Sequence, residues 1–269
     1  MNYEIIIRLS CFLSVFCSLA LWELLQPRRG RTLSKKLRWL NNLTIALLDT
    51  VIVRALIPIV PVSVALLAQE QGWGLLNMVV LPYTAEVVAA IIVLDCTIYL
   101  QHVLFHITPF LWPFHLVHHV DLDLDVTSGV RFHPVEIIIS MGIKLTAVIS
   151  LGTPPLAVLL FEILLNATSM FNHSNIFIPL SLDRIIRLLI VTPDMHRVHH
   201  SVIIEENNSN YGFTLPWWDR IFGTYRAQPA KGHQDMLIGN ARFLDGRKQK
   251  LTWLLFLPFL KEVRNSGEK

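Results

Sequence analysis

Long apolar runs, from Ile5 to Leu25, from Leu43 to Ala68 and from Ala85 to His106, dictate the solvent in which this chain folds. Each is long enough to cross a hydrocarbon core of roughly 30 Å. Hydrophobic residues make up 53% of the 269 and charged residues only 16%. A soluble domain carries about 25% charged residues, so the expected class is an integral, multi-pass membrane protein.

The interruptions predict how the runs are arranged. Asp49 and Arg54 lie in the second run, and Pro58 and Pro61 predict a kink there. QEQGWG (69–74) reads as a turn on the outer side. Residues 135–171 are apolar but broken by Gly152, Pro154 and Pro155, which predicts two helices of about 16 residues each that enter and return to the same side. Between the first two runs lies PRRGRTLSKKLR, holding six of the 23 basic residues. A basic segment in that position reads as a cytoplasmic membrane flank and not as a nucleic-acid site. The first run has no small-residue cleavage site and reads as an uncleaved anchor. Cys11, Cys17 and Cys96 have neither disulfide-framework nor CxxC spacing. SLDRIIRLLIV (181–191) predicts an interfacial helix. LTWLLFLPFL (251–260) is too short to span and is expected to lie along the surface.

Against this background the histidines stand out. Ten of the eleven fall between 102 and 200, and HLVHH (115–119) is repeated in spacing by HRVHH (196–200). With this many histidines, one H-x-x-H-H triplet arises by chance roughly 0.02 times per chain, so a pair of them is no coincidence. His102 and His106 are i, i+4 and share a helix face, with Asp95 and Tyr99 on the same stripe. A carboxylate there is expensive unless it has a task, and the expected task is to hold the second nitrogen of a ligand imidazole. Within each triplet the first and third rings share a face while the middle one points about 100° away. One triplet can therefore serve two metals. Eight histidines exceed one ion's needs, whereas two ions with roughly four to five ligands each account for them. Imidazole suits zinc, copper, iron and nickel alike, so ligand type alone leaves the metal open.

These residues resemble the fatty acid hydroxylase / sterol desaturase superfamily of membrane non-haem di-iron enzymes. The resemblance runs through Asp95, Tyr99, His102 and His106, then LWPFHLVHH (111–119), RFHP (131–134), NHSN (172–175), TPDMHRVHH (192–200) and NYGFTLPWWDRIFGTY (210–225). It implies an all-α, polytopic membrane helix bundle with a cytoplasmic histidine-rich helical cap holding a dimetal site. The implied ligands are His102, His106, His115, His118, His119, His173, His196, His199 and His200. His133 is implied as a ligand or as support behind one, with Asp95 and Tyr99 as supports. The implied cofactors are two iron ions, which zinc can replace in isolated protein, with O2 as co-substrate. Val103 stands where the family often has arginine, which touches no ligand.

The expected reaction is hydroxylation of an unactivated C–H bond in a fatty acyl or sterol-like membrane lipid, with desaturation as the alternative. Electrons are expected from a separate cytochrome b5-, ferredoxin- or reductase-like protein, because no haem-binding HPGG follows Tyr225. A metal transporter would instead string its histidines along a path through the bilayer, and a bis-histidine haem carrier would use single histidines on facing spans. The aromatic residues Trp217, Trp218, Phe222 and Tyr225 read equally well as a belt fixing depth or as a substrate contact, with Asp219 and Arg220 free to pair with neighbours. The expected organisation is an anchor and basic loop (1–42), a catalytic domain (43–230) and a cytoplasmic or interfacial tail (231–269).

Overall fold

The computed structural model of the chain describes residues 2–264, and among them every regular element is a helix. The long ones are α1 (Asn2–Leu25), α2 (Lys35–Leu56), α3 (Pro61–Glu70), α4 (Tyr83–Ile107), then after the short α5 (Trp112–His119), α6 (Pro134–Leu151) and α7 (Pro155–His173). Short helices follow: α8 (Leu180–Ile186), α9 (Pro193–His199), α10 (Ile204–Asn207), α11 (Trp217–Ile221), α12 (Gly232–Asp235) and α13 (Leu251–Phe256). Five stretches among the described residues are long and apolar enough to cross a membrane: 3–25, 35–78, 83–107, 134–151 and 155–173. The chain is thus read as a multi-pass membrane protein.

The breaks follow from proline and glycine. The second apolar run was expected as one kinked span over 43–68; it is two helices, because Pro58 and Pro61 leave Ile57–Val60 outside any helix and Pro61 opens α3. Gly152 closes α6 in the left-handed region (φ 68°), and Pro155 opens α7. A Cβ on Gly74 would fall 2.0 Å from the Gly152 backbone nitrogen, so the turn after α3 sits directly on the α6–α7 turn. Helix α7 is central, with α1, α3, α4 and α9 packed on it, while α2 packs on α6.

With those two turns at one end, the end of α1, the start of α2, the end of α4, the start of α6 and the end of α7 all meet at the other. The basic stretch belongs to that second end, and of its six cations Arg38 is buried while Lys36 is exposed and the others lie between. Arg38 is 1% exposed and binds the Asp121 and Asp125 carboxylates and Ser128 Oγ. Arg28 pairs with Asp194 at 3.0 Å, and Arg29 donates to the Met236 carbonyl. Arg38 tolerates full burial, and Arg28 and Arg29 partial burial, because the cap offers each a carboxylate or carbonyl partner. Glu23 adds a further tie, accepting from Val126 and Asn175 backbone N–H.

The segment 251–260 keeps Phe256 and Phe259 exposed and buries its other face. Leu254 and Leu257 are fully buried, packed with Ile45, Leu116, Val117 and Val120. Helix α5 turns its histidines inward, so its other face needs an apolar cover, and α13 supplies it. The part of the expected tail beyond 264 lies outside the described residues.

Candidate metal centre

Four elements deliver nine histidines to the end of the bundle where α4 and α7 finish. Helix α4 carries a buried stripe of Asp95, Tyr99, His102 and His106. Helix α5 carries His115, His118 and His119, α7 ends on His173, and α9 presents His196 and His199 with His200 as its C-cap. Thr192 Oγ1 accepts from Met195 N and Pro193 occupies the first turn, so the second triplet starts on a capped helix. All nine rings are at least 97% buried.

The nine fall into two groups, within each of which the candidate donor atoms all lie within 4.8 Å of one another. The first holds His102, His106, His115, His119 and His199; the second holds His118, His173, His196 and His200. The i and i+4 members of each triplet stay together while the middle member crosses to the other group. The groups adjoin: His119 and His200 stack with ring centroids 4.5 Å apart, and His196 and His199 are 5.1 Å apart. Asn207 Nδ2 reaches both His119 Nδ1 (3.0 Å) and the His199 carbonyl (2.9 Å), tying the two triplets together.

Outer contacts determine which nitrogen of a ring carries its proton. Nδ1–H donates to a backbone carbonyl in His102 (Tyr211, 2.7 Å), His118 (Arg131, 3.0 Å), His173 (Ser169, 2.7 Å) and His199 (Ser209, 2.7 Å). His115 Nδ1 lies 2.7 Å from Glu136 Oε1. A carbonyl only accepts, so Nε2 of those four rings presents a lone pair. Yet His118 Nε2 lies 2.9 Å from His173 Nε2, and His102 Nε2 lies 3.0 Å from His115 Nε2. His199 Nε2 is buried with no hydrogen-bond partner. Facing lone pairs repel unless a cation lies among them, and a neutral Nε2 backed by a fixed Nδ1–H is the form that binds metal. The donor set therefore fits two metal ions. Burial pushes the His115 imidazole down to about 3. Burial, reinforced by neighbouring imidazoles, holds His118, His119, His196, His199 and His200 well below the ordinary histidine range. These rings are neutral at pH 7.

The remaining expected site residues lie elsewhere. Asp95 touches no histidine ring: its Oδ2 accepts from Trp218 Nε1 (2.8 Å) and Leu215 N (3.2 Å). Seven residues of helix separate it from His102, a rise of about 10 Å, too far for a carboxylate to bridge. Tyr99 Oη pairs with Thr224 Oγ1 at 2.9 Å and its ring stacks on Phe222. Both residues therefore hold the 210–225 segment, whose Tyr211 carbonyl fixes His102. His133 is outside both groups; its Nδ1 accepts from Val135 N at the start of α6, and its ring packs between Phe114 and Phe259.

One contributor escaped the sequence reading: Glu136 was legible only as the one acidic residue of an apolar helix. Asp219, expected to pair with neighbours, does so: it is fully buried and accepts from Tyr211 N, Gly212 N and Thr224 Oγ1. That brace orients the Tyr211 carbonyl. Burial raises the Asp219 carboxyl to about 6 against the pull of these donors.

Two cavities reach the first histidine group. One of about 620 Å³ runs between α1, α2, α4, α6 and α7 and touches His102 and His115. A smaller one of about 230 Å³ touches His106 from the side of Trp112 and Asn207.

Comparison with known proteins agrees with this centre. A model of the fatty acid hydroxylase family matches residues 87–224, just over half of the chain and all nine clustered histidines. An ornithine lipid hydroxylase, OlsE, of Rhizobium tropici is 30% identical over 158 residues, 58% of this chain and 46% of that protein. The chain thus spans about half the length of this curated relative. No solved structure matches. By its histidine pattern and the extent of the family match, the chain belongs to the fatty acid hydroxylase family.

Proposed function

We propose that the chain is a membrane di-iron oxidoreductase that hydroxylates an unactivated C–H bond of a fatty acyl or sterol-like lipid, using O2 and electrons from a separate donor protein. The reading is carried by one observation: nine buried, clustered imidazoles, many with facing lone pairs, stand beside a largely apolar cavity. His102, His106, His115, His119 and His199 would hold one iron, and His118, His173, His196 and His200 the other. When bound, iron would supply the redox chemistry that couples O2 and two electrons to insertion of one oxygen into a C–H bond.

The protein's own part is positioning and exclusion of water. Backbone carbonyls and Glu136 keep protons on Nδ1, so Nε2 stays available without a deprotonation step. Ile98, Phe105, Phe132, Met170 and Phe213 line the large cavity near the rings and keep the reacting carbon dry. The histidine end is proposed to face the cytoplasm, because Arg28, Arg29 and Arg38 of the basic segment are built into that same end.

Lipid profiling of cells with and without the protein tests this reading. A lipid gaining one oxygen supports hydroxylation, a lipid losing two hydrogens replaces it with desaturation, and an unchanged lipid profile overturns both.

A further inference from the structure

The nine clustered imidazoles are buried, so an ion that settles among them needs a route from water. Stripping a cation of its water inside a protein is costly unless polar groups take over from the hydration shell. The large cavity is the wrong kind of route. Its exposed lining residues, among them Ile5 and Leu9 of α1 and Thr50 of α2, lie within membrane-length stretches, so it opens to the bilayer. Close to the rings its wall is apolar, with Ile98, Phe105 and Phe132.

The small cavity, of about 230 Å³, is of the other kind. His106 is the one lining residue that belongs to a membrane-length stretch, and the rest come from the cap and the tail. The exposed rim is Ile204, Asn208, Ala241, Arg242 and Glu262, one cation balanced by one carboxylate. Inside there is room for several waters, and the Ser201 hydroxyl and the amides of Asn207 and Asn240 offer oxygen. Oxygen donors of these kinds can replace the water around a divalent cation, and imidazole then suits iron or zinc. Donors thus run from a carboxylate at the rim, through amides, to the His106 ring. The wall is built onto the centre itself. Gly239 N donates to the His200 carbonyl at 3.0 Å, the Trp112 ring centroid lies 4.8 Å from that of His106, and Asn207 Nδ2 reaches His119 Nδ1.

Resting on the metal centre of the proposed function, we propose that this small cavity is the port through which a divalent cation passes between water and the group of His102, His106, His115, His119 and His199. A port acts on the barrier and adds nothing to the bound state. Narrowing it therefore slows entry and exit by the same factor and leaves the affinity alone, whereas damage to the centre lowers the affinity.

The test uses the purified full-length protein, freed of metal, in detergent micelles, with Co(II) as the probe because its visible absorption reports imidazole coordination. Uptake is followed by rapid mixing and release by dilution into excess EDTA. Ala241→Trp, at the exposed rim, should slow uptake and release of at least one Co(II) per chain by about tenfold or more, with unchanged affinity. Ile204→Trp, elsewhere on the rim, should show the same slowing and covers the case in which Ala241→Trp fails to fold. Ala46→Trp, the same change made in the large cavity, should exchange at the wild-type rate. Wild-type rates in either rim variant at unchanged affinity overturn the proposal, and so does equal slowing in Ala46→Trp. Slowing accompanied by lost affinity in both rim variants also overturns it, since the rim then supports the centre and is no passage. Failure of the underlying reading looks different. A wild type that binds no Co(II) removes the metal centre, whereas about two Co(II) per chain with rates indifferent to the rim removes only the port.

Discussion

His118 and His173 bring their Nε2 atoms to 2.9 Å while each gives its Nδ1 proton to a backbone carbonyl, Arg131 and Ser169 respectively. Neither ring has a proton left for the other, so the pair is an opening for a cation. On the proposed di-iron reading, replacing His118 by Ala should lower bound iron from about two to about one per chain and cut oxygenation by at least about 100-fold, with the protein still inserted in the membrane. His199→Ala, acting on the other group, should do the same. Elemental analysis of purified protein together with a turnover assay checks both. Near-normal turnover in either variant removes that histidine from the centre.

Glu136 holds His115 from behind and is itself no member of either histidine group. Loss of such a backing group typically lowers metal affinity or activity by about 10- to 100-fold. Glu136→Ala should show that loss in a competitive metal titration. Glu136→Gln, whose amide oxygen still accepts from Nδ1, should retain more affinity than the alanine variant. Equal losses in the two would mean that the carboxylate charge, and not an acceptor oxygen on Nδ1, holds His115.

Arg38 is the hub of a fully buried ionic cluster with Asp121 and Asp125. Burial opposes ionisation of Asp121, but the Arg38 and Arg131 guanidiniums outweigh it and hold the carboxyl at about 2. Arg38→Met leaves buried carboxylates without their main counterion, a change that costs about 3–5 kcal/mol. That is a large share of the stability of an ordinary domain. The variant should melt at markedly lower temperature in detergent; an unchanged melting temperature would show the cluster to be energetically idle.

His233 supplies a pH dependence away from the metal centre. Its Nε2 contacts Gln228 Oε1 at 3.0 Å and stands 3.6 Å from Asp194. Burial lowers its imidazole to about 4, although Asp194 pulls the other way. A histidine that stays neutral in the fold but protonates near 6.5 when unfolded contributes stability above pH 6.5. That contribution is lost as pH falls from about 6.5 towards 4. Between pH 7 and 5 the melting temperature of His233→Gln should therefore fall less than that of the wild type. Parallel curves would refute the assignment.

The 3.6-residue period, read from the H-x-x-H-H spacing alone, already implied that each triplet serves two places, and the crossing of His118 and His199 between the groups follows that geometry. Gly152 with Pro154 and Pro155 likewise marked helix ends, because the backbone restrictions of these residues act locally, whereas Pro58 and Pro61, read as a kink, in fact separate two helices. Asp95 shows where local reasoning fails. It shares a stripe with His102, but two helical turns of rise carry it to Trp218, 123 residues away in sequence.

The order of residues by itself determined the apolar spans, the stripe on α4 and the pairing of imidazoles by helical phase. Only the tertiary structure decided which carbonyl fixes each ring, that Glu136 and not Asp95 backs a histidine, and that Arg38 is buried. Those facts depend on which helices pack together across long stretches of chain. Packing is chosen by the summed burial of whole faces, which no single motif records.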